Sequence, residues 1–463
     1  MWWAGLRMAG SVWSGVAVVL FVAQTSIMLT ALVILSALTQ ASTLAGTEAT
    51  ATSLVAELVG ANGSILAVVV LVVVLVSAGA AVSASRRHIA LWLLAGATPG
   101  QVVRMVLTQV VVVGVSASVP AAVTASGVLA PALRLLASGG VGPAVPVSPV
   151  VSPGAVIVGG AIGLVLAVLG AWRLAVVAGR LAPVEVLRSV HEPRRRSVAA
   201  RATRVVLAVV TLALGLLLGS KITSPRDAAA LVTTPVFIVL LTSVLFALTA
   251  PAVLPMVVRA WTCLPVPGAA WSVARDISVA RSSQLAAVVT PLALCSGLVM
   301  GLLVLTDTLV ASIAAHAPGA SDGLTTRPEI ATVAIVFGLP VAVAAGGALG
   351  ALLISARART VDLALPRLLG ASAGQSWWQA FWEGVILVAT SWVVGSTCVA
   401  AALATQALGL SRRYGGVVLD GPWLGLGVCA LTTAVLGGAL VASTTRAARR
   451  RPPHRVIAEL VGE

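Results

Sequence analysis

The sequence predicts an all-α polytopic membrane protein, with about ten transmembrane helices in a 4+2+4 plan of two parallel four-helix repeats. Three observations lead there. Of 463 residues, 59% are apolar and only 9% charged, with a mean hydropathy of +1.08. The apolar residues gather into ten long runs. A turn motif around Gly96 returns around Gly370, 274 positions later. Ordinary soluble domains are about 25% charged, so this chain lacks the polar residues to cover a surface in water. A soluble enzyme, a nucleic-acid-binding module and a disordered chain are all excluded.

A hydrocarbon core of about 30 Å needs about 20 helical residues. On that ruler the runs fall near 12–38, 63–84, 103–136, 154–178, 204–221, 233–258, 285–311, 329–355, 378–408 and 422–446. The first follows Arg7 and outlasts the apolar stretch of a signal peptide, so it is read as an uncleaved span. Pro120, Pro131, Pro235, Pro251, Pro291 and Pro340 fall inside runs, which membrane helices tolerate. The long third and ninth runs suit tilted or broken helices. The connections on the far side of the termini, near 39–62, 137–153, 222–232, 312–328 and 409–421, are too short for a domain that folds alone.

Ten spans place both termini on one side. About 23 of the 29 basic residues then share the termini's side and about 6 lie opposite, while the 14 acids divide evenly. Positive residues mark the cytoplasmic side, so both termini are expected in the cytoplasm of a cell membrane. The net charge of +15 is thereby a matter of topology and requires no nucleic-acid partner.

The repeat is direct. Arg86-Arg87-His88-Ile89-Ala90-Leu91-Trp92-Leu93-Leu94-Ala95-Gly96-Ala97-Thr98-Pro99-Gly100-Gln101 is answered by the stretch from Thr360 to Gln375. Gly96 and Gly370, Ala97 and Ala371, Thr98 and Ser372, Gly100 and Gly374, and Gln101 and Gln375 align without a gap. Arg86 and Arg87 are matched loosely by Arg357 and Arg359, and Pro183-Val184-Glu185-Val186-Leu187 by Pro453-His454-Arg455-Val456-Ile457. The units expected are 1–190, a two-helix linker at 191–262, and 263–463. The repeated piece reads as a short amphipathic helix at the inner membrane surface, with Ile89, Leu91, Leu93 and Leu94 on an apolar side. Gly96 then permits a tight turn, and Thr98 or Ser372 caps the next helix. From pattern alone it serves as an interfacial anchor or as a contact site, and its duplication favours two similar cytoplasmic contacts.

From Arg86 to Leu91, and from Leu94 through Gly96-Ala97-Thr98-Pro99-Gly100-Gln101-Val102, the chain resembles FtsX-like permeases, the MacB-type membrane subunits of ABC transporters. Pro183-Val184-Glu185-Val186-Leu187-Arg188 resembles that family's usual ending after the fourth span. The second copy departs from the pattern at Pro366 and at Val361, which replaces a basic residue. The resemblance implies two cytoplasmic ABC ATPase subunits that bind ATP and Mg, with no cofactor in this chain. It implies ATPase coupling through Arg86, Arg87, Ile89, Leu91, Leu94, Gly96, Ala97 and Thr98, and through Arg357, Arg359, Leu365, Arg367, Gly370, Ala371 and Ser372. It further implies export of an amphiphilic or antibiotic-like substrate, or mechanical signalling across the membrane. The ten-span plan is most similar to bacitracin-type permeases, whose large domain between spans seven and eight has no room at 312–328.

Other residues narrow the function. The only lysine, Lys221, lies in no Gly-x4-Gly-Lys-Ser/Thr loop, so any ATPase must be a separate chain. An ion-gradient-driven transporter is the alternative, but such proteins keep ionisable groups at mid-membrane. Here Asp307, Glu383, Arg134 and Arg173 all fall near span ends. His88, His191, His316 and His454 form no His-Glu-x-x-His motif, and Cys263, Cys295, Cys398 and Cys429 no metal-like spacing, so neither enzyme nor metal chemistry is indicated. Glu383 reads either as an interfacial acid paired with an arginine or as a joint passing ATPase motion into span nine. The tryptophans near the inner face, Trp271 and Trp382 among them, read as interfacial anchors. Arg194-Arg195-Arg196 and Arg449-Arg450-Arg451 suit anionic lipid headgroups. The outer acids Glu48, Glu57, Asp322, Glu329 and Asp420 could meet a cationic substrate or an extracytoplasmic partner. Gly346 with Gly350, and Gly159 with Gly163, are spaced for close helix packing, expected between the two halves. The excess of Arg over Lys suggests a GC-rich bacterial genome.

Overall fold

The computed structural model describes residues 10–44, 47–138, 147–179, parts of 206–217, 230–263, 268–316, 338–354 and 370–449. Among them the regular structure is helical: α1 (Gly10–Ala41), α2 (Thr47–Ala84), α3 (Arg86–Leu94), α4 (Pro99–Ser138) and α5 (Pro153–Gly179). Then come α6 (Ala230–Trp261), α7 (Ala269–Ala280), α8 (Ser282–His316), α9 (Gly338–Ile354), α10 (Ala373–Tyr414) and α11 (Trp423–Arg449). Valine-rich stretches such as Val68–Val76 in α2 would favour strands in water. In a bilayer each backbone N–H and C=O must be satisfied within its own segment, which turns them into helix.

Nine of the ten apolar runs fall on these helices, the eighth from Gly338 onward, and the fifth lies for the most part outside the described residues. By length and composition, seven described helices can cross a membrane, or eight with the bent α6 taken as one span. Three expectations change. The connection expected at 39–62 is mostly helix, because alanines at positions 49, 51, 56 and 61 carry α2 back to Thr47. The third and ninth runs are continuous helices of 40 and 42 residues, α4 and α10. At 1.5 Å per residue each is about 60 Å long, roughly twice the hydrocarbon core. The break comes instead in α6, where Thr234–Ala250 and Ala252–Trp261 meet at 98° across Pro251, a residue with no N–H to continue the helical ladder.

α1, α2, α4 and α5 form the first bundle, and α8, α10 and α11 group with α6 in the second. The bundles meet where α2 packs on α8 and α6. Val76 and Ala80 of α2 join the cluster of Val288, Val289 and Ala293, so the ends of α2 and α10 that carry the repeated turns lie at the same end of the molecule. The repeats differ at their last helix. α5 packs on α1, α2 and α4, whereas α11 packs on α10 and stays peripheral, with Leu424 84% exposed. α6 fills the vacated side of α8 and α10.

Small residues set how near the helices come. α5 turns Gly159, Gly163, Ala167, Gly170, Ala171, Ala175 and Ala178 inward and Ile157, Val165 and Leu169 outward. That arrangement suits a helix surrounded by lipid, where close packing rather than water exclusion holds helices together. Gly346 and Gly350 of α9 do lie between the halves, against Val22 and against Gly15 and Val19 of α1. Gly159 and Gly163 do not. They meet Met28 and Gln24 of α1, inside the first bundle.

A Cβ at Gly350 would lie 2.5 Å from the Gly15 carbonyl oxygen and from a Val19 methyl. Gly350→Val should therefore cost about 1–3 kcal/mol, as overpacking does, and lower the melting temperature in detergent. Gly427, with no atom near its added Cβ, should tolerate Ala without loss in the same assay.

Candidate functional site

The repeated turns are built from the same backbone parts. After α3, the Gly96 N–H bonds to the Leu93 carbonyl (3.2 Å) and the Ala97 N–H to the Trp92 carbonyl (3.0 Å). These are the paired bonds of a Schellman ending, with Gly96 at φ +93° in the left-handed region. Thr98 caps the next helix. Its Oγ1 accepts from the Gln101 N–H (3.4 Å), while the Gln101 Oε1 accepts from the Thr98 N–H (2.9 Å). Pro99 occupies the first helical position, where its missing N–H costs nothing. At the second turn Gly370 has φ +94°. Ser372 Oγ accepts from the Gln375 N–H (3.2 Å), and Gln375 Oε1 from the Ser372 N–H (2.8 Å).

α3 has two apolar faces instead of the one expected. Ile89 is buried against Val102 of α4 and Ala178 of α5, with Leu93 and Ala97 beside them, and Ala90 is buried too. Leu91 and Leu94, 45% and 52% exposed, project from the opposite side. At 100° per residue Ile89 and Leu93 share one stripe, while Leu91 and Leu94 fall on another. Arg86 is exposed at the start of the helix, and Arg87 follows it. Gly179 lets α5 close on the Pro99 carbonyl, so α3 rests on a firm base. In the second unit Gly370, Ala371 and Ser372 are placed, and Arg357, Arg359, Leu365 and Arg367 lie outside the described residues.

What supports the second turn is different. Trp377, Trp378, Phe381 and Trp382 of α10 pack in edge and stacked contacts with centroids 5.0–5.6 Å apart. Trp382 meets Trp271 of α7 at 5.1 Å, and Trp271 meets Trp261 of α6 at 6.1 Å. Trp271 is 6% exposed, so it is a packing residue and not the lipid anchor expected. Trp261 Nε1 donates to Thr390 Oγ1 at 3.0 Å. Glu383 accepts from Gln379 Nε2 at 3.2 Å and faces Arg281, at the turn from α7 to α8. Burial lowers the Arg281 pKa, and the Glu383 carboxylate works against that. The corresponding residues of α4, Val103 to Gln109, contain no aromatic.

A second repeated device stands at the opposite end. The Ser36 hydroxyl, on α1, accepts from the Val150 N–H (3.0 Å) and faces the Val150 carbonyl (3.4 Å), just before α5. Ser312, on α8, does the same with Val418 (3.0 and 3.3 Å), ahead of α11. Thr308 adds a bond to the Asp420 carbonyl at 2.8 Å. Sequence comparison missed this pair because the segments they hold share no motif, and only the similar spacing of Ser36 and Ser312 hinted at it. Among the described residues no three His, Cys, Asp or Glu side chains gather as metal ligands.

A side chain at Gly96 must take a left-handed φ at a cost of about 1–2 kcal/mol. Gly96→Ala should lower the melting temperature and speed amide exchange in α3, while Gly100→Ala, with open space at its Cβ, should do neither.

Residues 62–183 match the family described as FtsX-like permease C-terminal. No curated protein matches the chain. The matched stretch runs from the middle of α2 through α3 and its capped turn to the end of α5 and just beyond. Such permeases are typically the membrane subunits of ABC transporters and generally partner with ABC ATPases. Over residues 62–183, this multi-pass membrane protein is similar to the C-terminal domain of FtsX-like permeases.

Proposed function

We propose that the chain is the membrane subunit of an ABC transporter driven by two separate ATPase chains on the cytoplasmic side. One observation carries this reading: two turns of the same construction, at Gly96 and Gly370, open at one end of the molecule. α3 offers the contact, with Leu91 and Leu94 projecting from a helix seated on α4 and α5. Exposed apolar knobs on a surface helix suit a groove on a partner. ATP and Mg would be bound by the partners. Arg86, Arg87, Arg357, Arg359 and Arg367 would meet the partners' polar rims, and Leu365 would be the second unit's counterpart of Leu91.

α4 and α10 run unbroken from the capped turns to the opposite end. A push at either turn therefore travels the length of a rigid helix. Glu383 sits where α10 meets Arg281 and would pass that push into α8. The outward product of the motion is export of an amphiphilic substrate with lateral access from the bilayer. Mechanical signalling to an extracytoplasmic partner is the second reading. The charged residues of the described spans, Glu57, Arg104, Arg134, Arg173, Asp307, Glu383, Arg412 and Arg413 among them, lie toward helix ends, which argues against ion coupling.

The full chain should co-purify with an ABC ATPase at one permease to two ATPases. Leu91→Asp with Leu94→Asp should weaken that association by about tenfold or more, as loss of an apolar anchor does, without altering the melting temperature. Undiminished association would refute the assignment of α3. Glu383→Ala should keep the complex and lower ATP-driven turnover. Unchanged turnover would leave Glu383 as a structural partner of Arg281.

A further inference from the structure

The linker between the units ends in a segment that runs across the spans instead of along them. Ala230 to Ala250 gives 21 residues, about 31 Å at 1.5 Å per residue, which matches one hydrocarbon thickness. With Ala230 at the opposite surface, the 98° bend at Pro251 would fall at the membrane surface. Ala252–Trp261 would then run along the membrane plane. The chain then turns through Gly268 into α7, which packs back on α10 and α6. α8 re-enters the apolar region only at Leu285, beyond Arg281.

The in-plane arm is amphipathic in a particular way. Leu254 and Val258 are buried against Trp271, Ala274, Ala286 and Ile386. At 100° per residue the outward half divides in two. Val253, Met256 and Ala260 share one flank, and Arg259 lies on the other. Among the described residues Met256 is 72% exposed and Val253 36%. The arm ends in the partly exposed Trp261, a residue type enriched at bilayer surfaces.

We infer that residues 252–261 form an interfacial helix that binds the lipid surface at the turn-bearing end, with Met256 and Val253 sunk among the acyl chains and Arg259 in water. With Arg281 balanced by Glu383, Arg259 and Arg275 still outnumber Asp276, a basic excess such as helices on anionic bilayers have. The arm is clamped to α10 through the tryptophan chain, so the bilayer would hold the base of the second unit in a way the described residues of the first unit do not share. This rests on the membrane location alone and is independent of the ATPase partners.

The test uses the purified full chain, without ATPase, as one copy per nanodisc of phosphatidylcholine and phosphatidylglycerol. A water-soluble oxidant is added, and Met256 sulfoxide is followed by mass spectrometry. Lipid burial should slow oxidation of Met256, 72% exposed in the described structure, by about tenfold or more against the urea-unfolded chain. In an Arg259→Cys variant, the new thiol should react with a charged maleimide as readily as Cys263, which is exposed at the arm's end. Oxidation of Met256 at the unfolded rate would overturn the inference, since that flank would then face water. Shielding of both positions would overturn it too, since the arm would then be enclosed on all sides. If Arg259→Cys fails to fold, the wild-type oxidation rate decides alone.

Discussion

Close backbone approach at glycine is the constraint on which this structure depends. In a bilayer, burying a leucine between helices gains little, because lipid is as apolar as protein, and association rests on packing. The contacts follow that rule. Gly15 meets Gly350 where the halves join, Gly384 meets Gly437 and Gly438 between α10 and α11, and Gly297 meets Gly395 between α8 and α10. Large apolar residues are released to the lipid face, as on α5. The helices can then slide and tilt as units, because what joins them is shape and a few hydroxyl bonds such as Ser296 to the Ser391 carbonyl.

The repeat is conserved in its joints more than in its walls. Both units share a left-handed glycine, a reciprocal Ser/Thr–Gln cap and a serine hydroxyl that holds the segment before the last helix. They differ in what surrounds these joints. The first turn leans on α5 through Gly179 and Ala178. The second leans on an aromatic chain reaching through α7 to the bent linker. The same displacement applied to both turns would meet close backbone packing in the first unit and an aromatic brace in the second.

Much of this was legible in the residues. Hydropathy located nine of the described helices, and the motif around Gly96 and Gly370 announced both the turn and its cap, since Gly, Thr or Ser, and Gln are each demanded by backbone geometry there. What could not be read was decided by tertiary context. Nothing local distinguishes Pro251, where α6 bends, from Pro120 and Pro131, which α4 absorbs. Nor does the run Ile89 to Leu94 reveal that its leucines part company until α4 and α5 lie beneath it. Trp271 looks like an interfacial anchor in sequence and is a core residue because Trp261 and Trp382 enclose it. The Ser36 and Ser312 clips escaped because a hydroxyl bond to a loop backbone leaves no pattern in the loop.

The central claim is that the two capped turns are equivalent handles on the cytoplasmic face. Photo-crosslinking in living cells from position 94, beside the first turn, and from position 374, beside the second, tests it most directly. The account predicts that both positions capture the same ABC ATPase and that neither reacts with an impermeant reagent added outside. Labelling of either position from outside, or capture of no ATPase at both, would contradict it.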